Sequence, residues 1–302
     1  MRIGITGASG LVGRTLTATA AAGGHQVIAY SRSPERMVPG AAEVRDISRP
    51  AEADFSGLDA LVSLAGESVL GFWSEEKKRL IRDSRVAGTE AIVHGLFRLD
   101  EKERPRVFVS ASGTGIYGDR GDEVLDEDTD PGFGFLASVS RDWESAARRA
   151  EDFGVRTVCG RLGLVMGRTG GALPLLRRIF RFYLGGRLGS GRQWMPWLHV
   201  EDAARMFLHA IEDETLSGPV NFVAPRAVTN AEFTRAFARW LNRPAPFPVP
   251  GWVLSRAPGG MRELFLFSER AEPAALRASG FDWRFPDLET AFIEALGPNL
   301  AA

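Results

Sequence analysis

Residues 1–16 read MRIGITGASGLVGRTL. Ile3 and Ile5 alternate as a short apolar strand, and Gly7, Gly10 and Gly13 follow at G-x-x-G-x-x-G spacing. Val12, Leu16, Thr19 and Ala20 then lay an apolar stripe along a helix. A strand ending in such a loop aims backbone N–H groups, at a helix N-terminus, at a single point where a pyrophosphate can sit. Gly7 permits the tight turn, Gly10 lets phosphates approach the backbone, and Gly13 lets the helix pack close to the sheet. Three glycines also serve plain turns; the strand before them and the amphipathic helix after them select dinucleotide binding.

Strand and helix patterns continue outward from this unit: QVIAYS, AEVRD, ALVSLAG, a helix over 74–99, RVFVSAS, a helix over 136–153, and VRTVCGRLGLV, the first helix running over 10–23. The alternation predicts the α/β class, a Rossmann doubly wound parallel sheet covered by helices on both faces. After Gly167 the stretch GGRLGSGRQWMPWLHV reads as a loop rich in Gly and Trp. A helix from Val200 to Asp213 and a strand at GPVNFVA follow, then helices over 230–242, 250–257 and 286–296. The expected division is a dinucleotide-binding domain over 1–167, to which 200–224 returns, and a smaller C-terminal substrate lobe built from 168–199 and 225–302.

The chain of 302 residues is 44% apolar and 25% charged, an ordinary globular balance with ample material for a core. Its net charge of -1 provides no global field for nucleic acid or an anionic membrane, so a small molecule is the expected partner, with the oligomeric state left open. Arg177, Arg178 and Arg181 read as a solvated helix face rather than an anion site. The single cysteine, Cys159, excludes an intrachain disulfide and belongs to a core strand; no C-x-x-C or H-E-x-x-H suggests a metal. No signal peptide precedes the first strand and no run of about 18 apolar residues occurs, which predicts a cytoplasmic protein. His25, His94 and His209 read as structural, whereas His199, between Trp197 and Asp202, is either a packed hinge residue or a ligand of the site.

Where NAD-binding units carry an acid at the end of the second strand, this chain reads Tyr30-Ser31-Arg32. Arg32 suits a 2′-phosphate and can lay its guanidinium over adenine, and Ser31 can add a bond, so the expected cofactor is NADP(H). Asp46 either touches the adenine amino group or caps the segment after Ile47.

Several segments resemble the extended short-chain dehydrogenase/reductase superfamily: ITGASGLVG, LVSLAGES, SRVAGTEAI, VFVSASGTGIYGD and RLGLVMG. More closely, IRDSRVAGT, YGDRGDEVLDED, GGALP, LGSGRQWMPWLHVEDAA and SGPVNFVAPRAVTNAEF resemble its epimerase-like branch, labelled nucleoside-diphosphate-sugar epimerase or cell-division-inhibitor-like. The resemblance covers nearly the whole chain and implies a Rossmann domain, a small C-terminal substrate lobe and NADP(H) binding; it supplies no substrate. It also implies cofactor contacts from Ser9, Leu11 and Val12 in the first loop, from Leu64, Ala65, Gly66 and Glu67 after the fourth strand, and from Arg85, Ser110 and Arg161. For Glu67 the alternative is a cap on the following segment.

The superfamily's proton relay, a Tyr with a Lys four residues on, is missing. Tyr30, Tyr117 and Tyr183 are followed four residues later by Pro34, Gly121 and Arg187, and Lys77, Lys78 and Lys102 all precede the relevant helix. At FLASVSRDWE, Phe135 or Leu136 stands in the tyrosine's place and Val139 or Ser140 in the lysine's. Of the Ser/Thr element, Ser110, Ser112 and Thr114 remain; Ser112 either bonds a substrate oxygen or caps a loop, and Tyr117 either donates a proton or walls the pocket. The expected substrate pocket lies between Ser112 and the segment Gly191 to His199, with Trp194 and Trp197 as walls and Arg192 and Gln193 as polar groups; a packed hinge is the competing reading. Two functions compete: an NADP(H)-dependent oxidoreductase or epimerase-like enzyme, and an NADP(H)-sensing or scaffold protein with little catalysis.

Overall fold

The computed structural model describes residues 1–256, 258–260 and 262–297. Seven strands form one sheet, every pairing parallel: β1 Arg2–Thr6, β2 Gln26–Ser31, β3 Glu43–Asp46, β4 Ala60–Ser63, β5 Val107–Gly113, β6 Arg156–Leu162 and β7 Gly218–Phe222. Their order across the sheet is β7-β6-β5-β4-β1-β2-β3. The chain therefore runs outward from β1 to β3, returns, and builds the other half from β4. The crevice beyond the carboxyl ends of β1 and β4 is the switch point where doubly wound sheets bind ligands.

Alternation along the strands divides the core. Ile3, Ile5, Val27, Ala29, Val62, Val107 and Val109 face one side, covered by α1 Leu11–Ala22 and, later in the chain, Val200–Glu212. Ile28, Tyr30, Leu61, Phe108 and Cys159 face the other, beneath α2 Glu75–Phe97 and the end of α3 Phe135–Arg148. Strands buried on both faces must be apolar throughout, which is why β4 and β5 read as near-continuous hydrophobic runs. Cys159 is a buried core thiol.

VRTVCGRLGLV is two strands, not one. β6 ends at Leu162, and Leu164–Gly167 leaves the main sheet to pair in parallel with Trp197–His199. Gly163 allows the departure, since a Cβ there would stand 2.7 Å from the Pro196 carbonyl oxygen. The stretch expected as loop thus holds strand residues, Trp194–Met195 pairing antiparallel with Val228–Thr229 as well.

The later helices are α4 Leu173–Arg181, α5 Val200–Glu212, α6 Asn230–Trp240, α7 Gly251–Ser255, α8 Arg262–Leu266, α9 Ala274–Ala278 and α10 Leu288–Leu296. Of the helix expected over 250–257, residue 257 lies outside the described residues, as do 298–302 of the expected lobe. α4, α6 and α10 pack Leu173, Phe180, Phe233, Phe237 and Phe292 with Met166 and Trp197 into a separate aromatic core. α6 opens on a capping box in which Thr229 and Glu232 bond each other's backbone N–H. α5 packs against α1, and β7 pairs with β6 in the main sheet. Among the described residues no helix is long and apolar enough to cross a membrane, and no cluster of side chains could hold a metal ion.

Candidate active site

The first loop has the form its glycines predict. Gly7 takes φ +68, and a Cβ on Gly13 would fall 2.2 Å from the Gly7 carbonyl oxygen, so both positions need glycine for the fold. Gly10 differs. A Cβ there would meet only the Gly7 oxygen, at 3.2 Å, and would otherwise stand in open space. Ser9 and Gly10 are exposed, Leu11 and Val12 half-buried, and no side chain caps the N-terminus of α1. An open, uncapped helix start fits a pyrophosphate.

At the far end of the crevice Ser31 and Asp46 are register neighbours on β2 and β3. The Ser31 hydroxyl accepts the Ser33 N–H, and Asp46 accepts the N–H and hydroxyl of Ser48, which hold its carboxyl below the usual range. Asp46 thus caps the turn after Ile47. Arg32 is exposed and, among the described residues, has no ion-pair partner.

Beyond β4 the backbone N–H groups of Leu64 and Ala65 lie against the Thr6 hydroxyl, and Ala65 and Gly66 are exposed. Arg85 braces this loop from beneath: it donates to the Glu67 and Ile81 carbonyls and stacks 5.2 Å from the Trp143 ring. Burial draws its guanidinium down to about 10. The Glu67 carboxylate pairs with Lys77 in the first turn of α2, whose hydrogen bond and charge lower its pKa.

Ser112, Tyr117 and Arg161, expected to face ligands, are instead joined in a buried network. Ser112 and Arg161 are opposite each other on β5 and β6. Ser112 donates to Glu144 Oε1 at 2.7 Å, and Arg161 grips both Glu144 oxygens at 2.9 Å. Arg161 also donates to the Tyr117 hydroxyl, which lies 2.8 Å from both the Asp126 carbonyl and Asn221 Oδ1. Tyr117 has no exposed surface and its phenol is pushed up to about 12 by burial. A desolvated phenol held at three sides is no proton donor to a ligand, and the Arg161 cation is neutralised before a cofactor arrives. Ser110 is buried too, its hydroxyl donated to the Ala111 carbonyl.

At the lobe junction Trp197 and His199 are likewise core residues. Trp197 is 1% exposed and donates to the Arg226 carbonyl. His199 accepts the Glu201 N–H as the N-cap of α5 and lies against Phe285, ring centroids 4.0 Å apart. Gln193 is tied to the Leu188 and Phe265 carbonyls, and Arg192 is exposed. Trp197, His199 and Gln193 are thus packed side chains. Trp194 is half-buried, with its indole N–H on Asp122 and the Arg270 guanidinium 4.7 Å over its ring.

The sequence profile described as the NAD dependent epimerase/dehydratase family matches residues 3–223, and a domain of unknown function, DUF1731, matches 249–295. The chain belongs to the NAD dependent epimerase/dehydratase family. It is 36% identical over 300 residues to epimerase family protein YfhF of Bacillus subtilis (strain 168), covering 98% of each chain. It is 39% identical over 287 residues to epimerase family protein ML0860 of Mycobacterium leprae (strain TN), covering 93% of this chain and 91% of that one. The crystal structure of human epimerase family protein SDR39U1 (isoform2) with NADPH superposes with a TM-score of 0.88 at 33% identity, over 98% of this chain and 99% of that one.

In this epimerase/dehydratase chain α3 turns one face to the end of β5. Leu136 is the side chain a Cβ on Gly115 would touch, at 3.1 Å, Ser140 Oγ lies 4.0 Å from the same point on Gly113, and Glu144 bonds Ser112. Those residues are four apart, so of the two pairs open in the sequence Leu136 and Ser140 share the face of α3 turned to β5. One carboxylate that the sequence reading missed reaches this place from the C-terminal segment. Glu263 on α8 accepts the Phe135 and Leu136 N–H groups, each at 2.9 Å. Glu269, half-buried in the same segment, donates its backbone N–H to the Trp194 carbonyl at 3.2 Å. No local signal marks Glu263, which lies more than a hundred positions from its partners.

Proposed function

We propose that the chain is an NADP(H)-binding oxidoreductase or epimerase-like enzyme acting on a small molecule. One observation carries the reading: the crevice joins an open, uncapped glycine loop to a β2 end that offers Ser31 and an exposed Arg32, without an ion-pair partner among the described residues, rather than an acid. The NADPH in the human relative's crystal structure supports it. Gly7 to Gly13 would hold the pyrophosphate, Ser31 and Arg32 the 2′-phosphate, and the backbone of Leu64 to Gly66 the nicotinamide half. When bound, NADPH supplies a hydride. Trp194 would wall the substrate side.

Calorimetry of NADPH and NADH tests this. Charge-assisted bonds contribute about 1.5–3 kcal/mol, so wild type should prefer NADPH by about ten- to a hundredfold. Arg32→Asp should lose that preference; equal affinities in the wild type would overturn the assignment. A sensing or scaffold role is the second reading, favoured by the missing Tyr and Lys pair and by the engaged hydroxyls of Ser112 and Tyr117. A sensor binds NADPH and changes its affinity for a partner; an enzyme oxidises it against a carbonyl.

A further inference from the structure

We propose that the C-terminal lobe carries a docking surface for an anionic lipid bilayer, built where the end of α4 meets the segment leading into α7. The contact is peripheral, since among the described residues no helix is long and apolar enough to cross a membrane.

Two stretches of chain make the surface. α4 ends in a turn with two bonds: the Leu184 N–H donates to the Ile179 carbonyl at 3.1 Å, and the Tyr183 N–H to the Phe180 carbonyl at 3.0 Å. The left-handed place in such a turn usually holds glycine, yet here it holds Tyr183, at φ +60. Gly185 follows, so close to Phe180 that a Cβ would stand 2.5 Å from its ring. The chain then runs beside the segment before α7. The Val249 N–H donates to the Arg187 carbonyl at 2.9 Å, and the Gly189 N–H to the Val249 carbonyl at 2.8 Å. The two stretches form one body.

Apolar side chains stand out from it. Phe182, Leu184, Phe247 and Trp252 are 67%, 72%, 73% and 64% exposed. None of them belongs to the aromatic core, to which α4 gives Leu173 and Phe180.

The charge around them has one sign. Asp and Glu are absent from 153–200 and from 233–262. Arg177, Arg178, Arg181, Arg187 and Arg256 are exposed, and among the described residues none of them has an ion-pair partner. Arg243 lies 5.4 Å over the Tyr183 ring and Arg256 5.3 Å over the Trp252 ring, so cations and aromatics share one surface. The net charge of -1 conceals this distribution, because the acids lie elsewhere in the chain.

An anionic bilayer matches both properties at once. Tryptophan and tyrosine settle at the level of the lipid headgroups, apolar tips enter the acyl boundary, and arginines pair with lipid phosphates. A second copy of the chain is a poorer match, since a two-fold contact would set these arginines against themselves. A single-stranded nucleic acid would engage the arginines and rings but give Leu184 no apolar partner.

Cosedimentation of the full chain with vesicles tests this. One set is pure phosphatidylcholine, the other an equal mixture of phosphatidylcholine and phosphatidylglycerol. Binding at least about tenfold tighter to the anionic set is expected, and is lost in about 0.5 M sodium chloride. Arg177→Ala, Arg178→Ala and Arg181→Ala combined should weaken it about a hundredfold, and Leu184→Ser with Phe247→Ser about tenfold. All five side chains are exposed, and circular dichroism matching the wild type shows both variants folded. Brominated lipid should quench a part of the tryptophan emission that Trp252→Phe lacks. Equal affinity for the two sets, or wild-type affinity in either folded variant, overturns the proposal. Quenching unchanged in Trp252→Phe places the lipid on another face and overturns it too. Dimerisation that Leu184→Ser abolishes, without vesicle binding, gives the surface to a second copy; tighter binding of oligothymidylate than of anionic vesicles gives it to nucleic acid. Either result also overturns the proposal. None of these readouts uses NADPH, so the cofactor assignment stands apart from this one.

Discussion

His199 lies in the core with a neutral ring, capping α5 through the Glu201 N–H. Burial, and then the charge of Arg284, draw its pKa down to about 4. An unfolded histidine titrates near ~6.5, so the unfolded chain binds this proton more tightly than the native one. Stability contributed above that pH is lost as pH falls from about 6.5 toward 4, at about 1.4 kcal/mol per unit. Urea denaturation should therefore show His199 costing wild type about 2 kcal/mol at pH 5 relative to pH 7. His199→Asn, which keeps an acceptor for the cap, should lack that part of the slope; an unchanged slope would mean that the ring is solvated. Arg161 and Glu144 show the same dependence on surroundings. Each is a residue type that suits a ligand, and each is satisfied by the other across a buried bidentate pair.

α3 begins at Gly134, which has no side chain to cap the helix, so its first N–H groups need an acceptor from elsewhere. Glu263 provides it from α8, taking the N–H of Phe135 and Leu136 with a carboxylate at the positive end of the helix. A cap of this kind contributes about 1 kcal/mol. Glu263→Ala should lower stability by about that amount and speed amide hydrogen exchange at Phe135 and Leu136 while the rest of α3 stays protected. Equal protection in both proteins would show that the contact does not support the helix. The same cap fixes the start of α3 beside Thr114, and so couples the C-terminal lobe to the wall of the crevice. Gly163 acts at the same scale: it lets the chain leave the main sheet after β6 and begin the smaller one.

Across the whole molecule, one buried carboxylate joins the main body to the C-terminal segment. Asp202 on α5 is 1% exposed and accepts the N–H groups of Arg284 and Phe285 at 3.0 and 2.9 Å. Trp283 adds a bond to the Val223 carbonyl and Arg277 one to Pro225. Asp202→Ala leaves two N–H groups without their acceptor, at about 1–3 kcal/mol each. The variant should melt at a lower denaturant concentration, with tryptophan fluorescence and far-ultraviolet circular dichroism still coincident. Two separate transitions in the wild type would show that the lobes fold independently.

The class of fold was legible in short stretches of chain. Strand alternation, the spacing of Gly7, Gly10 and Gly13, and the amphipathic α1 are patterns within one element or one turn, where backbone sterics and burial act on neighbours. The end of β2, with Arg32 in place of an acid, is local in the same sense, and so was the absence of a Tyr and Lys pair. The tertiary structure alone decided which polar side chains remain free. Ser112, Tyr117 and Arg161 match a ligand site by type, yet Glu144 and Asn221 engage them from α3 and β7. Trp197 and His199 lie where a pocket was expected and face the aromatic core instead. Glu263 carries no motif and reaches α3 across more than a hundred residues of chain. Periodicity records which face of an element is buried; whether a buried polar group is already satisfied depends on partners that only folding brings within hydrogen-bond distance.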